Sequence, residues 1–366
     1  MISTIKHKHY NTLYFNHTFY DGEDQLRKLS DELSLSDLDW EIALGSFLKE
    51  WLSDDLDIEL FTSGSTGVPK KIIMNKSAMV YSAERTLDFF HLKKGAKALL
   101  CLSTDYIAGK MMVVRALVGG LHLIAHGVDS NPLKYLKEEI DFAALVPTQA
   151  KECFVNSRDQ FKLVKTIILG GAKVDWDLEQ KLNQVSSECW ETYGMTETVS
   201  HIALKRIALE PNTPFRLLPG IEIRQDDRSC LVIEPSDINQ HRLVTNDIVE
   251  LKSENEFILK GRYDNVIITG GLKLYPEELE GKLSKKINQD FIFCGIPDSK
   301  WGESVVLVVE SNDSLKFDES IYLTLKKYEK PKNIYFLESF PRTESGKIQR
   351  SKIKEIILKR MDSTNA

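Results

Sequence analysis

No apolar run in this sequence approaches the roughly 20 residues needed to span a bilayer. The opening MISTIKHKHYNTLYF likewise lacks the apolar stretch of a secretory signal. Cysteine is sparse: Cys101, Cys153, Cys189, Cys230 and Cys294 are odd in number and widely scattered. Without CxxC or Cys/His spacing they point away from a disulfide framework and a zinc site, and towards reduced, buried thiols of a cytoplasmic protein. The histidines form no HExxH, so a metal held by protein ligands alone is not expected. A basic excess is also missing, with 48 Lys and Arg against 54 Asp and Glu, so nucleic acid is not an expected partner. Internal repeats and low-complexity tracts are absent. What remains, 42% hydrophobic and 28% charged over 366 residues, describes an ordinary globular chain, long enough for two domains.

From about residue 96, short apolar runs alternate with helical stretches. AKALLCLS, LHLIAHG, FAALVP and VKTIILGG read as strands, and GKMMVVRALVGG and WDLEQKLNQVS as helices. NPLKYLKEEI reads as a further helix, with Asn131 as N-cap and Pro132 at its first position. This alternation predicts an α/β layer with a mainly parallel sheet. After about residue 215 the texture changes to short runs separated by turn residues (GIEIRQ, SCLVIEP, RLVTNDIVELK, EFILKG), which reads as antiparallel β structure. The last hundred or so residues mix helix and strand and suffice for a small α+β domain with its own core. In the tail, Ile353, Ile356 and Ile357 recur at helical spacing, so KIQRSKIKEIILKR reads as an amphipathic helix.

Four runs carry chemistry. FTSGSTGVPKK, from Phe61 to Lys71, concentrates the hydroxyls of Thr62, Ser63, Ser65 and Thr66 with Gly64, Gly67 and Lys70. The glycines permit backbone angles that turn several N–H groups towards one anion, and the hydroxyls and lysine add donors and charge. Its spacing is not that of the nucleotide-binding P-loop, which has four residues between its glycines followed at once by Lys and Ser/Thr. ETYGMTETVS offers Tyr193, Gly194, Thr196 and the carboxylate of Glu197, suited to a magnesium ion carrying phosphate. Gly170, Gly171 and Ala172 precede it at the end of an apolar strand, where α/β sheets dock ligands. GRYDNVIITGGLKLYPEELE and FPRTESGKIQR complete the set. Taken singly, each has a plainer reading: a surface loop, a strand-to-loop turn, an interdomain connection, a solvated lysine.

Taken in order, the four runs resemble one family, the adenylate-forming enzymes: acyl-CoA synthetases, luciferases and the adenylation domains of peptide synthetases. The resemblance extends from about residue 58 to 352. It implies a large N-terminal domain over 1–263, of parallel-rich sheets with helices plus a β-rich segment, and a small mobile α+β domain over 264–366. It also implies two half-reactions using ATP, Mg²⁺ and coenzyme A: a carboxylate attacks the α-phosphate, and a thiol then displaces AMP. The first run would hold phosphates, Glu197 and Thr66 would position Mg²⁺, and Lys347 would stabilise the charge of the adenylation transition state. Gly170, Gly171, Ala172 and Tyr193 would frame the adenine, and Asp247 and Arg262 would bind the ribose. Asp264 would be the hinge, with Gly270 and Gly271 lining the coenzyme A channel. Two departures stand out. The family's TGD is here TND, with Asn246 for glycine, and Tyr106 occupies the place of a histidine common in acyl-CoA synthetases.

Only about 60 residues precede the phosphate run, a compactness that resembles the ligases activating 2-succinylbenzoate for menaquinone. Arg115 falls where those ligases place a basic residue. An acid with two carboxylates needs one anchored while the other reacts, and a guanidinium suits a bidentate grip. Ser200 would assist, and Tyr106 would complete the acid pocket. Arg115 also reads as a snorkelling helix residue. Another aryl or acyl ligase, a peptide-synthetase adenylation domain and a non-catalytic adenylate binder are the competing expectations. Self-association stays open.

Overall fold

A computed structural model describes residues 6–62, 70–208, 213–239, 241–342 and 348–364. The chain is α/β, built on a 13-stranded sheet. Its parallel half runs, in spatial order, through Glu188–Gly194, Val164–Leu169, Ile140–Leu145, Lys97–Leu100, His122–Ala125 and Thr12–Phe15. Thr18–Asp21 closes that edge antiparallel. The central strands Val164–Leu169, Ile140–Leu145, Lys97–Leu100 and His122–Ala125 are mostly apolar because both faces are covered. Leu100, Phe142 and Ile168 point into one core, under helices Glu23–Ser34, Asp39–Leu52, Lys76–Phe89 and Ile107–Gly119. Their neighbours Leu99, Ala143, Leu145, Ile167 and Leu169 point into another, under Pro147–Asn156 and Trp176–Leu182.

Beyond Glu188–Gly194 the same sheet continues antiparallel through His201–Arg206, Phe215–Leu217, Glu256–Arg262, Leu243–Ser253, Cys230–Ile233 and Ile223–Gln225. The change of texture read near residue 215 therefore falls within one continuous sheet, whose strands run antiparallel from His201–Arg206 onward. The last hundred residues carry a separate five-stranded sheet. Helix Pro276–Leu283 covers one face with Leu279 and Leu283, and helix Arg350–Thr364 covers the other with Ile353 and Ile357.

One local expectation is corrected. NPLKYLKEEI forms only the 3-10 turn Pro132–Tyr135, and the Asn131 side chain donates to Ser157 Oγ at 2.9 Å instead of capping a helix. A strand, Lys70–Asn75, stands between the phosphate run and the helix after it, and Asn75 caps that helix by accepting from Ser77 N at 3.0 Å. All five cysteines are free and buried, and burial pushes Cys189 up to about 12 and Cys153 and Cys294 up to about 11.

Candidate active site

The phosphate run is flanked by two paired strands. Strands Asp57–Thr62 and Lys70–Asn75 pair antiparallel, with Thr62 opposite Lys70, so the run begins and ends at one place. Ser63, Gly64, Ser65, Thr66 and Gly67, and the side chains of Thr62 and Lys70, lie outside the described residues. Beside these strands opens a cavity of about 410 Å³ lined by Met74, Asn75, Ser77, Asp237, His241 and Glu197 among others. Glu197, named from sequence as the magnesium carboxylate, thus shares a cleft with the base of the phosphate run.

Glu197 comes to that cleft because three parallel strands end together. Leu145 lies level with Leu169, and Leu169 with Glu191, from which the third strand runs on to Gly194. Gly170 and Gly171 leave the sheet here. A β-carbon on Gly170 would stand 2.7 Å from Thr192 Oγ1, and Gly171 has φ +83°, so both positions favour glycine. At Gly194 a β-carbon would meet the Ser200 carbonyl at 2.3 Å. The chain then makes a 3-10 turn, Thr196–Thr198. Val199 follows at φ 66° and ψ −54°, with Ser200 N bonded to Thr198 O at 2.7 Å. This is a γ-turn at a β-branched residue, a conformation costing on the order of 1–3 kcal/mol. It folds Ser200 back against Gly194, leaving Glu197 exposed at the apex.

Tyr193 is a core residue, its ring edge-on to Phe257 at 5.2 Å and to Phe215 at 5.9 Å. Its hydroxyl donates to Asp247 Oδ2 at 2.7 Å, and burial, followed by the Asp247 charge, holds the phenol above its usual range. Asp247 is cross-strand from Arg262, whose Nη1 lies 3.1 Å from Asp247 Oδ1. Lys260 is bulged out of the register just before. Arg262 Nη2 also reaches Asp264 at 3.2 Å. The two residues assigned to the ribose and the one assigned to the hinge therefore form one polar chain.

The acid-binding trio is only partly assembled. Arg115, on helix Ile107–Gly119, is 2% exposed and donates from Nη2 to Ser200 Oγ at 2.9 Å. Its Nη1 rests on Met112 Sδ at 3.5 Å, and its Nε is buried without a partner. Among the described residues no carboxylate pairs with it, and burial alone lowers its guanidinium to about 10, so it stays cationic at neutral pH. Tyr106 stands at the start of the same helix, 58% exposed and about 14 Å away along the axis.

His201, which no motif flagged, explains how Ser200 is set. Thr86 Oγ1 donates to Ser82 O at 3.1 Å, leaving a lone pair for His201 Nε2–H at 3.3 Å. His201 Nδ1 is then the acceptor for the Ser200 hydroxyl at 3.4 Å. Ser200 spends its proton on His201 and its lone pair on Arg115, so its help to an acid passes through Arg115. Burial first, and Arg115 second, hold His201 well below its usual pKa. Unfolded, it takes up a proton below about pH 6.5 while the folded imidazole stays neutral, so stability falls as pH drops from 7 towards 5 by up to about 1.4 kcal/mol per pH unit. A His201→Gln variant is expected to show a shallower fall of Tm over that interval, and parallel Tm–pH curves would contradict this wiring.

Lys347 lies outside the described residues, and the base of its loop is described. Arg342 bridges to Ile348, and Gln349 closes the loop with N–H to Pro341 O and Nε2 to Arg342 O, both at 2.8 Å. Arg342 grips Glu310 through both terminal nitrogens, at 2.8 and 2.6 Å, and Arg350 grips Glu280 the same way, at 2.7 and 2.5 Å. Gly270 and Gly271 form a tight hairpin turn with φ +55° and +79°. A β-carbon on Gly270 would press on Trp301 at 2.9 Å, whereas Gly271 faces open space.

Residues 18–232, more than half the chain, match the family of AMP-binding enzymes. The chain belongs to this family. This AMP-binding enzyme is 26% identical to the 2-succinylbenzoate–CoA ligase of Lactococcus lactis, over 92% of its own length and 83% of that protein. It is equally 26% identical to the Listeria monocytogenes ligase of that name, over 81% of its own length and 69% of the relative's. Among solved structures it resembles an AMP-forming acyl-CoA synthetase-like protein from Dyadobacter fermentans, at 32% identity and TM-score 0.60, covering 90% and 98% of the two chains. It shares its fold with O-succinylbenzoate coenzyme A synthetase from Bacillus subtilis, solved with ATP and magnesium, at 19% identity and TM-score 0.71, covering 84% and 74%. The AMP-binding enzyme is accordingly an AMP-forming CoA ligase. No described helix is long and apolar enough to cross a membrane.

Proposed function

We propose that this ligase activates 2-succinylbenzoate. The acid's reacting carboxylate attacks the α-phosphorus of ATP, the bond to pyrophosphate breaks, and the thiol of coenzyme A then attacks the acyl carbon and displaces AMP. The observation that carries the choice of acid is Arg115: a buried cation with no acidic partner among the described residues and an unused Nε. Burying such a charge is costly unless an anion joins it. A substrate with a second carboxylate supplies that anion and leaves the first one to react. The family membership and the two curated relatives point the same way.

The remaining residues take roles around that grip. Asp247 and Arg262 receive the ribose hydroxyls, and Gly170, Gly171 and Ala172 leave room for the adenine. Mg²⁺ bound with the nucleotide would neutralise phosphate charge, and the exposed Glu197 carboxylate beside the strands that flank the phosphate run, with Thr66, is a donor set of the hard oxygen kind it prefers. Residues 264–366 act as a second, mobile domain hinged at Asp264, which delivers Lys347 for the first step and the Gly270–Gly271 turn for the second.

A coenzyme A ligation assay over a panel of 2-succinylbenzoate, benzoate and a medium-chain fatty acid tests this reading. Turnover confined to 2-succinylbenzoate is the expected result. Comparable use of benzoate would remove the anchoring role of Arg115, and no ATP–pyrophosphate exchange with any acid would favour a non-catalytic adenylate binder.

A further inference from the structure

We propose that Asn246 is a positioning residue for the ligase reaction, latching the Asp264 carboxylate to the strand that carries Asp247. The inference rests on the hinge reading above. Asn246 stands where the family pattern has glycine, and its backbone is not among the positive-φ residues, so a side chain is present here without any conformational demand for or against it. Strand alternation sends Asp247 towards Tyr193 and Asn246 to the other face. There Asn246 Nδ2 lies 3.3 Å from both oxygens of Asp264.

The orientation of that amide is fixed by a third residue. Arg228 Nη1 donates to Asn246 Oδ1 at 3.0 Å, which assigns the oxygen to the arginine and leaves Nδ2 to face the carboxylate. Arg228 is itself held by Asp226 at 2.9 Å and by Thr245 O at 3.2 Å, and lies 5.0 Å over the Tyr263 ring. Hence the latch is pre-oriented from the large sheet.

It differs in kind from the second hold on Asp264. Arg262 divides its two terminal nitrogens between Asp247 and Asp264, so a ribose arriving at Asp247 competes for the same guanidinium. The Asn246 side chain bonds Arg228 and Asp264 and, among the described residues, not the Asp247 carboxylate, so it keeps its grip when the nucleotide binds. The tether therefore holds the start of the small module in the docked position, where Lys260 meets Glu278 at 3.1 Å. Rotation about Asp264 requires both Nδ2 contacts to break.

The test uses full-length protein with one spin label on each module, at introduced surface cysteines, the native thiols being buried. Inter-label distances are recorded without ligand, with ATP and acid, and with coenzyme A added; both half-reactions are timed separately. Asn246→Ala and Asn246→Gly are expected to lower the population at the ligand-free wild-type distance, relative to all other distances, by about three- to tenfold, the worth of one partly exposed charge-assisted hydrogen bond. The ratio of the two half-reaction rates moves by a similar factor, while Tm stays close to wild type. Asn246→Asp, which sets a like charge against Asp264, lowers that population further. If the wild type changes distance with ligand and the variants reproduce its distribution, the latch is overturned. A wild type that keeps one distance throughout overturns the hinge reading and the latch with it.

Discussion

Replacing Lys347 by alanine is expected to slow acyl-adenylate formation by about 10²- to 10³-fold, while transfer to coenzyme A from a supplied acyl-adenylate stays near the wild-type rate. The asymmetry follows from where charge develops. Attack on the α-phosphorus builds negative charge that an ammonium stabilises, whereas the thiol step breaks a mixed anhydride already made. The substitution also leaves the loop's supports in place. Arg342 with Glu310 and Arg350 with Glu280 clamp the two ends, and Gln349 closes the base. A loss confined to the first half-reaction, measured by pyrophosphate exchange against single-turnover thioesterification, is the expected pattern. Equal loss in both would show that Lys347 does not have the assigned role. Arg350→Ala offers the contrast: it frees one end of the loop and leaves the half-buried Glu280 carboxylate without its cation, so it lowers Tm as well as adenylation.

Four strands of the parallel half were legible because they are buried on both faces and so read as short apolar runs, whereas Thr12–Phe15, with Thr12 and Tyr14, gave no such signal. Leu99 and Leu100 serve different cores, yet both are leucine for the same reason. The four outer strands of the antiparallel half were legible, but His201–Arg206 and Phe215–Leu217, which join them to the parallel half, were not, because the pairing between Phe215–Leu217 and Glu256–Arg262 joins segments some forty residues apart. No local pattern records such a contact. NPLKYLKEEI carried helix-start chemistry, and its proline and asparagine are satisfied by a single 3-10 turn and by Ser157 instead.

For the site, motif order brought out residues that the fold does bring together, such as Asp247 with Arg262 and Arg115 with Ser200. What it omitted are the residues that orient them: His201, Arg228, Glu280 and Arg350. These act through partners distant in sequence, and a lone histidine or arginine in a strand or turn has no spacing to betray it. His201 was findable only as the residue after Ser200, where strand alternation sends it inward. Tyr106 shows the converse. Sequence position suggested a place in the acid pocket, and the helix geometry leaves it at the solvent-facing start of the helix whose third turn carries Arg115.

That helix makes the sharpest separation of function from stability. Arg115→Ala is expected to raise KM for 2-succinylbenzoate by about 30- to 1,000-fold, the cost of truncating one partner of a buried ion pair, with KM for ATP little changed. Arg115→Lys restores only part of this, since an ammonium cannot reproduce a two-pronged grip on a carboxylate. The effect on folding runs the other way. In the ligand-free protein the guanidinium is buried with only Ser200 and Met112 as partners and no counter-charge among the described residues. An isostere without charge removes that penalty while filling the space, so Arg115→Met is expected to keep or raise Tm. A residue placed to hold the helix would behave oppositely, losing stability on substitution and sparing the acid KM. The combination of a higher Tm and a weaker grip on the dicarboxylate marks a site where the fold carries an uncompensated charge until its substrate arrives.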